Sequence, residues 1–108
     1  MLVLFDNGGL RTLARYLIDR HTVTEARARG LDTLENGALL RAAEDAGFEV
    51  LLTTDKNLRY QQNLTGRNIA IVVLGQGRWK QIKPHANSVA DAIGASTPGA
   101  FTEVEIPL

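Results

Sequence analysis

The sequence predicts an α/β fold in a single domain spanning residues 1–108, with a mainly parallel sheet sandwiched by helices. Three observations predict it. Short apolar runs, "LVLF", "FEVLLTT" and "IAIVVL", have the pattern of strands covered on both faces, as in a parallel sheet. Between them lie segments with apolar residues at three- and four-residue steps, and strands alternating with helices imply right-handed crossovers. The length of 108 residues is near the commonest domain size, and there is no internal repeat or low-complexity segment.

The elements follow in order. "LVLF" (residues 2–5) is a buried strand, punctuated by Gly8 and Gly9. Leu10, Leu13, Ala14, Leu17 and Ile18 then form one face of a helix ending near Arg20. "HTVTEA" (21–26) reads as a short second strand, and "RARGLDTLENG" (27–37) as a polar connection whose glycines mark turns. A helix follows with Leu39, Leu40, Ala42, Ala43 and Ala46 inward, stopping at Gly47 as its C-cap.

"FEVLLTT" (48–54) is the clearest strand, with β-branched residues towards its end. A helix of roughly two turns over Leu58 to Leu64 closes at Gly66. "IAIVVL" (69–74) is another buried strand, "GQGRW" a turn, and "IKPHANSVADAIG" (82–94) a last helix with Pro84 near its first turn. "FTEVEIP" (101–107) alternates as an edge strand does.

Composition narrows the chemistry. An apolar fraction of 44% and a charged fraction of 22% are ordinary for a globular protein. Twelve basic and twelve acidic side chains cancel, so any polyanion must be gripped locally rather than drawn by a global field. Without cysteine there is neither disulfide nor thiolate metal site, which fits a reducing cytoplasm. The opening "MLVLF" runs straight into Asp6, too short for a signal peptide or a membrane span. His21 and His85 lack an HxxxH or HxH companion, which argues against zinc. Gly8 and Gly9 belong to neither G-x-G-x-x-G nor a P-loop.

In a parallel α/β sheet, ligands bind outside the carboxyl ends of the strands. Asp6 directly follows the first strand, and Asp55 directly follows the "FEVLLTT" strand. If those strands are neighbours, two carboxylates meet at one edge, enough with substrate phosphate for a magnesium-type site. An aspartate ahead of a helix is also a preferred N-cap, worth about 1 kcal/mol. Both readings stand for each residue. Glu35, just ahead of a helix, is the candidate third acid, or else a solvent-facing charge at a helix start. Asp32 reads as a turn residue, and Glu44 and Asp45 as outer-face charges.

Arg11, Lys56, Arg59 and Arg67 are candidate phosphate contacts. Tyr60, Gln61, Gln62 and Asn63 could stack on or hydrogen-bond to nucleotides. The bland alternative makes each a solvated helix side chain, but "YQQN" is a poor choice for a helix built only to pack. Trp79 is expected to pack over one end of the sheet.

Strand, Asp6, helix, then "LENGALLRAAEDAGFEVLLTTDKNLRYQQNL" and "GRNIAIVVL" resemble the PIN-like proteins, in particular the small bacterial group related to the ribonuclease toxins of toxin–antitoxin operons. The resemblance covers nearly the whole chain and is most specific over residues 36–74. It implies a three-layer α/β/α sandwich and, in active relatives, cleavage of RNA dependent on Mg2+ or Mn2+ held by a cluster of carboxylates.

Residue by residue, Asp6 matches the family's first-strand aspartate and Asp55 the aspartate after the later strand. Many relatives have Asp-Glu after the first strand, and here Asn7 takes the second place. The family's helix acid falls at about Asn36 or Ala38, neither acidic, with Glu35 the nearest substitute. Asn57 matches a further polar position of the metal site. The resemblance thus implies Asp6, Asp55 and Glu35 as ligands, with Asn7, Asn36 and Asn57 behind them. It also implies RNA and an antitoxin protein as partners and a homodimer using an edge such as "FTEVEI"; the sequence itself gives the expectation of no membrane. Two rival expectations remain: a catalytically degenerate PIN-like module that binds RNA or protein through "LRYQQNL", and a phosphohydrolase of small phosphoesters using the same acids.

Overall fold

The computed structural model describes residues 1–5, 11–18, 20–31, 33–34, 36–54, 66–75 and 79–106. Five strands build one sheet: β1 (Leu2–Phe5), β2 (Thr22–Glu25), β3 (Val50–Thr53), β4 (Ala70–Leu74) and β5 (Phe101–Val104). Their order is β2-β1-β3-β4-β5 and every pairing is parallel. The helices are α1 (Arg11–Leu17), α2 (Asn36–Asp45), α3 (Trp79–Ile82) and α4 (Ala86–Gly94). Two 3-10 turns, Ala26–Arg29 and Lys83–His85, complete the described elements.

The apolar runs are explained by burial on both faces of the sheet. Val3, Phe5, Val50, Leu52, Ala70 and Val72 join one core with Leu13 and Leu17 of α1 and Val89, Ala90 and Ile93 of α4. Leu4, Leu51, Ile71 and Val73, alternating with them along the strands, join a second core with Leu39, Leu40 and Ala43 of α2. Every residue of β3 and β4 is buried. Each such leucine contributes about 2 kcal/mol of hydrophobic stabilisation. The parallel α/β sheet matches the expectation, and the strand over residues 101–107 takes the expected edge position, ending at Val104.

The end of α2 shows how local sequence ends a helix. Gly47, at φ +88°, is left-handed; its N–H donates to the Glu44 carbonyl at 3.1 Å and that of Phe48 to the Ala43 carbonyl at 3.0 Å. This is the Schellman pattern, and it turns Phe48 back into the core beside Ala43. A type II turn enters β5: Pro98 occupies the second place, Gly99 at φ +81° the third, and the Ala100 N–H donates to the Thr97 carbonyl at 3.0 Å.

Several boundaries differ from the sequence reading. α1 ends at Leu17, so Ile18 lies beyond the helical face and is 70% exposed. Ala46, expected inward, follows the last residue of α2 and is exposed. The strand expected to reach Ala26 ends at Glu25, the supposed connection from Arg27 begins within a 3-10 turn, and Gly37 is the second residue of α2 rather than part of a turn. Trp79, placed in a turn, begins α3, so the last helical stretch starts earlier than residue 82. Pro84 interrupts that stretch: lacking an N–H, it cannot continue the α ladder, and the chain passes through a 3-10 turn before α4. The expected helix over Leu58 to Leu64 lies outside the described residues.

Candidate functional site

Parallel pairing sends all carboxyl ends of the strands to one edge. There Phe5, the last residue of β1, is in register with Leu52 of β3 on one side and with Glu25 of β2 on the other. The order 2-1-3-4-5 reverses direction between β1 and β3, because the chain leaves β1 towards β2 and then crosses back. In doubly wound sheets such a reversal marks the place, outside the carboxyl ends of the two strands, where ligands bind. The residue after Phe5 is Asp6, and Asp55 comes two residues after Thr53.

Asp6, Asn7, Glu35, Asp55, Lys56, Asn57, Arg59, Tyr60, Gln61, Gln62 and Asn63 themselves lie outside the described residues, as does Asp32. Arg11 and Asn36 are the first residues of α1 and α2, with their side chains outside the description. α2 ends beside the amino edge of the sheet, where Glu44 meets the chain entering β4. Its start at Asn36 therefore points towards the carboxyl edge.

Two polar residues at this edge had no role in the sequence reading. Glu25 ends β2 and is partly buried, and Thr53 ends β3 with 1% exposure. Each has an interaction partner. Glu25 carried no sequence signal because its place beside Phe5 depends on strand order, which local pattern does not encode.

Arg67 is displaced from the expected site. It precedes β4, at the amino edge, and its guanidinium donates to Glu44 Oε1 at 3.2 Å. Glu44, read as an outer-face charge, also accepts the Asn68 N–H through Oε2 at 2.6 Å. One carboxylate thus ties the end of α2 to the entry of β4. Glu49 accepts the Leu2 N–H at 3.0 Å, and Asp91 accepts Arg20 at 2.6 Å. Glu44 and Glu49 are committed to the amino edge, and Asp91 to holding α4 against the residues that lead into β2.

His21 is 7% exposed, and both ring nitrogens are engaged: Nδ1 accepts from the Met1 nitrogen at 3.3 Å and Nε2 donates to the Ala90 carbonyl at 3.0 Å. It joins the amino edge to α4. Among the described residues no group of three or more histidines, aspartates or glutamates is placed to hold a metal ion, and no helix is long and apolar enough to cross a membrane. No family model, curated protein or solved structure matches this chain.

Proposed function

We propose that the carboxyl end of the β1–β3 seam is the site of a metal-dependent ribonuclease of the PIN-like type, as the resemblance over residues 36–74 implies. The observation that carries this reading is the adjacency of β1 and β3, with Phe5 in register with Leu52 at the switch point of the sheet. Asp6 and Asp55 continue from those two strands. An all-oxygen donor set of this kind suits Mg2+ or Mn2+, which keep several waters and need few protein ligands.

Asp6 and Asp55 would hold the ion, with Glu35 as third acid and Asn7, Asn36 and Asn57 orienting ligands or waters. When bound, such an ion polarises a phosphoryl oxygen and makes a bound water a stronger nucleophile. Arg11, Lys56 and Arg59 supply cationic contacts to phosphate, and Tyr60, Gln61 and Gln62 contact nucleotides. Phosphodiester hydrolysis needs no covalent intermediate on the protein. In this reading the enzyme is a cytoplasmic toxin restrained by an antitoxin protein, and a homodimer through the β5 edge belongs to the same proposal.

The test is cleavage of RNA by purified protein with Mg2+ or Mn2+, alongside Asp6→Asn and Asp55→Asn. Metal-dependent cleavage lost in both variants, with growth arrest on overexpression relieved by Asp55→Asn, supports the reading. RNA bound equally with and without metal, and left intact, replaces it with the non-catalytic binding module. Hydrolysis of small phosphoesters but not RNA points to the phosphohydrolase.

A further inference from the structure

We draw no further inference here: the strongest candidate, the carboxylate of Glu25 at the carboxyl end of β2 in register with Phe5, belongs to the sheet edge already proposed as the site, and no second observation beside it points to a ligand of its own.

Discussion

Phe5 and Leu52 face each other across adjacent parallel strands at the point where the sheet reverses its winding. Both are nearly inaccessible, at 3% and 1% exposure, and both belong to the core under α1 and α4. Leu52→Ala removes packing there and is expected to lower stability by about 3 kcal/mol. A urea titration reads this as an earlier midpoint. An unchanged midpoint would mean that the β1–β3 seam is looser than its burial indicates.

The proposed ligands can be tested without an activity assay. If Asp6 and Asp55 share one site as proposed, their carboxylates repel each other when no cation is present, so Asp6→Asn and Asp55→Asn should each raise the melting temperature of metal-free protein. Added Mn2+ should stabilise the wild type, by about 2.7 kcal/mol at a hundredfold excess over its dissociation constant. Neither variant should respond fully. A wild-type melting curve indifferent to Mn2+ would remove the metal from the proposal.

Arg67 and Arg59 should separate stability from recognition. Glu44 and Arg67 are about one-fifth exposed, and Glu44 also takes the Asn68 N–H. Glu44→Ala is therefore expected to cost about 1–2 kcal/mol. Arg67→Gln should weaken the fold slightly and leave RNA affinity alone. Lys56→Gln with Arg59→Gln should do the reverse, lowering RNA affinity and flattening its salt dependence by about one unit of slope per lost contact. Fluorescence anisotropy across a salt series measures both. An equal loss of affinity in Arg67→Gln would contradict the assignment of recognition to the carboxyl edge.

Two glycines should respond to alanine with opposite signs. Gly47 is left-handed at the end of α2, and alanine there is strained by about 1 kcal/mol. Gly94 is helical, and an added Cβ would stand 3.7 Å from Arg20 and His21, an ordinary contact. Gly94→Ala should therefore stabilise, by about 0.5 kcal/mol. Paired thermal melts decide it: a destabilised Gly94→Ala would mean that the α4 end packs more tightly against His21 than these distances allow.

Legibility in the sequence followed the range of the interaction. β1, β3 and β4 are readable because strands buried on both faces must be apolar at every position, and the stop of α2 because a left-handed cap selects glycine. Trp79 was misplaced because the glycines just ahead of it in the sequence are turn residues by type, and Gly37 because glycine inside a helix is unfavourable. Glu44 had no visible purpose because its partners are reached only after a strand and a connection have folded between them. Of the site, the sequence supplies Asp6 and Asp55 as acids following strands; that β1 and β3 are neighbours emerges only from the fold.

That adjacency also governs when the proposed site can exist. β1 must pair with β3 across the whole intervening segment of α1, β2 and α2, a contact between residues far apart in sequence that carries a loop-closure cost. During synthesis, residues 1–49 hold β1 and β2 but not β3, which begins at Val50. The β1–β3 seam therefore forms only once β3 has left the ribosome and found its place between β1 and β4, and the site proposed at its carboxyl end cannot be assembled before then.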